Sequence, residues 1–221
     1  GKRNHAQTRA RPQVIGLNLS TCYIDMYGKC GSMVDAQELF DTMPTHDIMS
    51  WDALIRGYVF QGSCSVVFQL FDKLVQTRLD PDSIIFLGIL TLCMHVGILE
   101  EAHCYFEVMQ KAYCLTPGIK HFACVIDLLG RAGQINETIR IIGMMPFQPN
   151  LVMWHTVLGA CQKLRNVEFG EWAFQHALQL DRGNVISFIL MCNIYTDALM
   201  WSRVEEIEAL RNETREILWI K

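Results

Sequence analysis

A chain of 221 residues with 51% hydrophobic and 19% charged side chains has enough apolar content to bury a core and too little charge to stay disordered. Nineteen basic against twenty-three acidic residues give a formal charge of −4, and Lys2, Arg3, Arg9 and Arg11 crowd the first sixteen positions, so the remainder is more acidic still. That excludes the broad basic footprint of a protein held mainly by nucleic-acid phosphates.

The basic, acid-free start superficially matches an organelle transit peptide, yet the chain does not begin with Met and reads as an internal fragment. Further along, the longest nearly apolar run spans Ile84 to Leu99, between Asp82 and Glu100, and contains Gly88, His95 and Gly97. A membrane-spanning helix needs about twenty apolar residues. The run therefore predicts a buried helix, a turn at Gly97 and the start of another helix. The nine cysteines are odd in number and no two stand at the two-residue spacing of zinc ribbons or thioredoxin-like sites. They are expected to be reduced and buried as small hydrophobes.

The chain repeats itself. Asp25-Met-Tyr-Gly28-Lys-Cys-Gly31 returns as Asp127-Leu-Leu-Gly130-Arg-Ala-Gly133, and Met43-Pro44 returns as Met145-Pro146 at the same displacement. Between these landmarks Gly31, Gly62, Gly97 and Gly133 recur roughly every 34 residues, a period typical of helix-pair repeats. Ser20, Trp51, Phe86, Phe122, Trp154 and Phe188 follow the same variable steps. A second series joins a small or β-branched residue to a large one a helical turn later: Ala36 with Phe40, Val67 with Phe71, Ala102 with Phe106, Thr138 with Ile142, and Gly170 with Phe174. Each unit reads as a first helix carrying the aromatic position, a Gly turn at positive φ, and a second helix carrying the small-large pair. Pro44, Pro81, Pro117 or Pro149 ends it, because Pro cannot continue a helix. The expected fold is all-α, an α-solenoid of stacked antiparallel helix-turn-helix repeats.

Repeats near 34 residues include peptide-binding tetratricopeptide and RNA-binding pentatricopeptide arrays. Asp25-Met-Tyr-Gly-Lys-Cys-Gly-Ser32, Ala36-x-x-x-Phe40-Asp-x-Met43-Pro44, Ser50-Trp51-x-Ala-Leu-Ile55-x-Gly57-Tyr58 and Asp127-Leu-Leu-Gly-Arg-Ala-Gly133 closely resemble the plant pentatricopeptide repeat family, a right-handed superhelical fold. The alternating unit lengths are similar to the subclass built from short, standard and long repeats. In that register, residues 1–16 match the tail of a long repeat, 17–47 a short repeat, 48–82 a standard one, 83–118 a long one and 119–150 a second short one. Residues 151–184, with Val157-Leu-Gly-Ala-Cys161 and Asn166-Val-Glu-x-Gly170, resemble the first of two E motifs that end this subclass. Residues 185–218, with Asn193-Ile-Tyr195 and Trp201, resemble the second. Arg165 and Leu199 stand where turn glycines would, and the tail from Asn212 lacks the usual basic Gly-containing run.

The resemblance implies binding of single-stranded organellar RNA, in mitochondrion or chloroplast, one base per repeat. In the family, a first-helix residue just after the aromatic position and the repeat's last residue meet the base edge, while the second residue packs on the base face. Carried over, Thr21 and Asp47 with Asn18 match a combination that prefers guanine. The standard repeat offers Asp52 and Asp82 with Met49. Ionised Asp52 only accepts hydrogen bonds, so an amide donor is lost and like charges are expected to crowd that position. The long repeat has Leu87 and Gly118 with Ile84, which gives no hydrogen-bond code. The second short repeat has Ala123 and Asn150 with Lys120. The plain alternative for these residues is solvent-facing or helix-capping.

Many relatives in the subclass serve C-to-U editing and carry a zinc deaminase domain with His-x-Glu and Cys-x-x-Cys elements. None of the seven histidines here is followed two residues later by Glu, and no Cys-x-x-Cys occurs. No enzymatic activity, metal or other cofactor is expected. The resemblance implies a specificity factor whose E-like units recruit a deaminase in trans, with accessory editing-complex proteins on the repeats. A helical scaffold for a protein or peptide, or a diverged non-functional copy, is the alternative, and no membrane partner is expected.

Overall fold

The computed structural model describes residues 16–219, with side chains to residue 214. Among them lie twelve helices and no strand: α1 Leu17–Lys29, α2 Met33–Thr42, α3 Ile48–Phe60, α4 Cys64–Gln76, α5 Ser83–Val96, α6 Leu99–Lys111, α7 Ile119–Arg131, α8 Ile135–Gly143, α9 Leu151–Leu164, α10 Val167–Leu180, α11 Val185–Asp197 and α12 Trp201–Trp219. The expected repeat tail at 1–16 lies outside the described residues apart from Gly16. The chain divides into two compact units, Gly1–Pro117 and Gly118–Lys221. None of the described helices is long and apolar enough to cross a membrane.

In most of the helices the apolar residues fall on one stripe, which packing buries, whereas α5 is apolar nearly all round. In α1, Ser20, Ile24, Tyr27 and Gly28 are buried; in α6, Ala102, Phe106 and Met109 are. Within the first unit α1 packs on α2 and α3, α3 on α4 and α5, and α5 on α6. Within the second, α7 packs on α8 and α9, α9 on α10 and α11, and α11 on α12. First helices thus stack on first helices, with second helices forming the other layer. The recurring first-helix positions are buried: Ser20 and the aromatics Trp51, Phe86, Phe122, Trp154 and Phe188. The fold class is the expected all-α helix-pair repeat.

Gly31, Gly62, Gly97 and Gly133 take positive φ between the two helices of a pair, where a β-carbon would be strained. Arg165 at φ 52° and Leu199 at φ 60° hold the same left-handed turn without being glycine, a strain of about 1–2 kcal/mol for an L residue. Both are exposed, so no packing offsets it. Arg165→Gly and Leu199→Gly are each expected to stabilise the second unit by about 0.5–1 kcal/mol, part of the relieved strain being offset by glycine's unfolded-state entropy. Thermal melts of the single variants check this, and a lower melting temperature would refute it.

Two expectations need correction. Cys93, Cys124 and Cys161 are buried, but Cys22, Cys30, Cys104 and Cys114 are exposed, although all are free thiols. Cys22 and Cys104 fall on the opposite side of their helices from the apolar stripe, Cys30 caps α1, and Cys114 lies in the loop after α6. In α8 the buried partner of Thr138 is Ile141, at 1% exposure, while Ile142 is half-buried. The other four small-large pairs are buried at both members.

The recurring Gly28 and Gly130 have a role beyond turns. A β-carbon on Gly28 would lie 3.0 Å from the Gly57 Cα, and one on Gly130 would lie 2.6 Å from the Ala160 Cβ. Consecutive first helices cross at these points, backbone nearly against backbone.

Candidate nucleic-acid interface

The last residue of each repeat is the N-cap of the next first helix. Asp47 caps α3, accepting from the Ser50 amide at 2.8 Å while the Ser50 hydroxyl accepts from the Asp47 amide at 3.0 Å. Asp82 caps α5 through one carboxylate oxygen, which accepts from the Ile84 and Ile85 amides, each at 3.0 Å. Asn150 caps α9 by accepting from the Met153 amide at 3.0 Å. Such caps satisfy amides that the helix leaves unpaired and place negative charge at the positive end of the helix dipole. The capping role foreseen for Asp47 and Asp82 is therefore real. Each cap bond uses Oδ1, so the other carboxylate oxygen, or the amide nitrogen of Asn150, stays at the helix start. Gly118 has no side chain to cap α7; instead its amide donates to His121 Nδ1 at 3.1 Å.

One turn into the first helices stand the other members. Thr21 is half-buried, and its hydroxyl donates to the Leu17 carbonyl at 3.0 Å, which leaves the oxygen's acceptor capacity. Asn18, Met49, Ile84 and Lys120 are exposed at the second position of their repeats, with Met49 at 54% and Ile84 at 50%. Large apolar side chains this open, repeated at one register position, have no core to serve. Ala123 and Leu87 are half-buried and contribute no hydrogen bond from their side chains.

Asp52 departs from expectation. It is buried, at 5% exposure, and its carboxylate is ion-paired with Arg56 one turn along α3. Arg56 also reaches Asp25 on α1, Nη1 to Oδ1 at 3.7 Å, and Asp25 is paired with Lys29 at 2.6 Å. The predicted crowding of like charge is thus corrected: a buried carboxylate without a cation would be costly, and Arg56 supplies the cation. The signal was legible as an Asp-x-x-x-Arg spacing on one helix face.

The E-like span continues the same surface pattern. Val152 at 70% and Ile186 at 55% are exposed at the second positions of α9 and α11, and Asn184 caps α11 through the Ser187 amide at 3.2 Å. His155 Nε2 is 2.9 Å from the Ser187 hydroxyl. Burial holds the His155 pKa below its usual value, against the opposing effects of Asn184 and Asp181, so the imidazole is neutral at pH 7. On the second-helix side, Glu171 accepts from Tyr195 at 2.6 Å and from Arg203 at 2.7 Å. The tyrosine hydrogen bond, reinforced by Arg203, lowers the Glu171 pKa against desolvation. Burial pushes the Cys161 thiol up to about 12, which leaves it an inert core group.

Comparison with known proteins follows the same outline. A model described as the PPR repeat matches residues 20–48 and 49–78, and one described as the E motif matches residues 164–215. The E motif is consistent with the subclass of alternating repeat lengths. A mitochondrial pentatricopeptide repeat-containing protein of Arabidopsis thaliana is 34% identical over 93% of this chain and 43% of its own length. A second Arabidopsis pentatricopeptide repeat-containing protein is 34% identical over 96% of this chain and 30% of its own. The chain therefore spans less than half the length of these relatives. Among solved structures, the maize pentatricopeptide repeat protein PPR10 superposes with a TM-score of 0.81 at 16% identity, over 96% of this chain and 32% of that one. The pentatricopeptide domain of Arabidopsis protein-only RNase P 1, solved with tRNA, gives 0.66 at 16% identity, over 86% of this chain and 98% of that one. Sequence motifs, helix-pair architecture and relatives agree, and the chain belongs to the pentatricopeptide repeat protein family.

Proposed function

We propose that this chain binds single-stranded RNA in a mitochondrion or chloroplast and acts as a specificity factor for transcript processing, C-to-U editing in particular, with a deaminase supplied in trans. One observation carries the reading. Several repeat starts set an exposed second-position side chain beside a helix-capping polar residue, as in Met49 with Asp47, Ile84 with Asp82 and Val152 with Asn150, while Asn18 and Lys120 are exposed at the same position behind the glycine caps Gly16 and Gly118. An apolar face for stacking beside a polar group for an edge is what a splayed-out base needs. Relatives named as mitochondrial or chloroplastic support the compartment. The maize protein solved with an 18-nucleotide psaJ RNA element supports RNA as the ligand class. The acidic balance of the chain fits a segment whose base contacts supply selectivity more than affinity. The E motif supports recruitment of editing partners.

In this reading Thr21 and Asp47 meet guanine, with Asn18 against the base, and Asn150 and Lys120 serve a second, weaker position beside Ala123. Thr21→Ala is expected to weaken binding to an RNA with guanine at that position about fivefold, the worth of one neutral hydrogen bond of about 1 kcal/mol. Binding to the matched RNA without guanine should hardly change. Fluorescence anisotropy at fixed salt measures both, and equal affinities for the guanine RNA before and after the substitution would remove Thr21 from the site.

A further inference from the structure

The Asp52–Arg56 pair does not stand alone on α3. It forms one wall of a cavity of about 210 Å³ between α3 and α5, whose other lining includes Ile55, Val59, Ile84, Leu87 and Gly88. Its volume is below the range of drug-sized pockets and suits one flat ring. Gly88 lines it without a side chain, and a β-carbon there would meet only Val59, at 3.9 Å, so a larger side chain could extend into the cavity. Ile84 at the rim is half exposed, giving an apolar face for a ring to lie on. Asp82, the other polar residue assigned to this repeat, is not part of the lining, and its Oδ1 is committed to the α5 cap.

The polar wall is a matched donor and acceptor. Asp52 accepts from Arg56 through Oδ2, which leaves Oδ1 as an acceptor. Arg56 carries five N–H donors, and its contacts with Asp52 and Asp25 engage only part of them. It is 38% exposed at the side chain, so the fork is reachable, while Asp52 at 7% is held still beneath it. A carboxylate next to a guanidinium presents acceptor and donors side by side. Among the four bases, guanine is the one whose Watson–Crick edge sets two adjacent N–H donors, N1 and N2, beside an acceptor, O6.

We propose that the cavity between α3 and α5 is a guanine site in which Asp52 accepts from the base's N1–H and N2–H and Arg56 donates to O6, with Ile84 against the ring. Arg56 is then the specificity-determining donor that this repeat otherwise lacks, which deepens the RNA-binding reading on which it rests. Asp52 also positions Arg56, since the pair fixes the fork over the cavity, and the link to Asp25 fixes it against α1.

The test uses the 221-residue chain and labelled RNA oligonucleotides that keep guanine for the Thr21–Asp47 position and vary the nucleotide on either side through all four bases. At one flank, guanine is expected to bind about tenfold more tightly than uridine, the discrimination of a good bidentate contact. Arg56→Lys keeps a cation beside Asp52 but loses the fork, and should abolish that preference, bringing guanine and uridine RNAs to within about twofold of each other. Gly88→Leu fills the cavity and should do the same with the Asp52–Arg56 pair intact, so a merely structural role for Arg56 is separated from base reading. Retained preference in either variant, or equal binding of all four bases at both flanks by the unaltered chain, overturns the guanine site and leaves RNA binding standing. Failure to retain any of the oligonucleotides overturns both.

Discussion

Phe86→Ala is expected to destabilise the first unit by about 3–5 kcal/mol, the usual cost of emptying a buried aromatic position. The ring is 0% exposed. It meets Phe71 of α4 edge-on at 5.5 Å between centroids, and Tyr113 beyond the end of α6 at 5.6 Å. One side chain therefore joins the second helix of the standard repeat to both ends of the long repeat. Its removal deletes the transfer term, leaves a void that surrounding helices refill only in part, and forfeits two aromatic pairs of about 0.5–1.5 kcal/mol each, counted within that total. Urea unfolding followed by helical circular dichroism measures the change. A loss under about 1 kcal/mol would mean that the layer collapses around the gap and that Phe86 is not a keystone of the stack.

Gly28→Val comes second, with an expected loss of about 1–3 kcal/mol from overpacking. The first added carbon would sit 3.0 Å from the Gly57 Cα, which is backbone and cannot swing aside, and two more carbons must then find room between α1 and α3. Gly57 is equally confined, since its own β-carbon would lie 2.7 Å from the Met33 sulfur. The control is Gly159→Ala in the interior of α9. A β-carbon at Gly159 meets nothing within 4 Å, so alanine there should add about 0.5–1 kcal/mol by helix propensity alone. Thermal melts of the two variants should move in opposite directions. A neutral Gly28→Val would show that α1 and α3 can separate at no cost.

Much of the architecture was open to reading in the chain itself. The displaced copies of Asp-x-x-Gly-x-x-Gly, the aromatic series and the small-large pairs define helix pairs because each helix must bury one stripe, and a stripe is a periodic pattern. The turns at Gly31, Gly62, Gly97 and Gly133 were legible for the same local reason, as positive φ selects glycine. The phase of the stripes also held the fate of Cys22 and Cys104, which lie on the outward side of α1 and α6. Counting cysteines by composition missed it, because exposure follows from angle around the helix and not from residue type.

The candidate site was legible in its outline and not in its chemistry. Thr21, Asp47 and Asn18 could be placed by repeat register, and Asp47 and Asp82 could be foreseen at helix starts. Which oxygen each cap uses, and which it leaves, depends on backbone geometry at the turn. Asp52 was misread as a crowded charge because it was weighed against Asp82 alone, although Arg56, four residues on, lies on the same helix face and pairs with it.

By itself, then, the sequence determined an all-α array of helix pairs and the positions of its turns, since these follow from short-range periodicity and from residues needed at fixed backbone angles, while its motifs carried the resemblance to the family. Only the tertiary structure decided that Gly28 and Gly130 are crossing points between neighbouring first helices, that Asp52 is buried beside Arg56, and that Gly88 lines a cavity beside them. The crossing points, the cavity and the burial of the local Asp52–Arg56 pair depend on how neighbouring helices pack, which periodicity does not set.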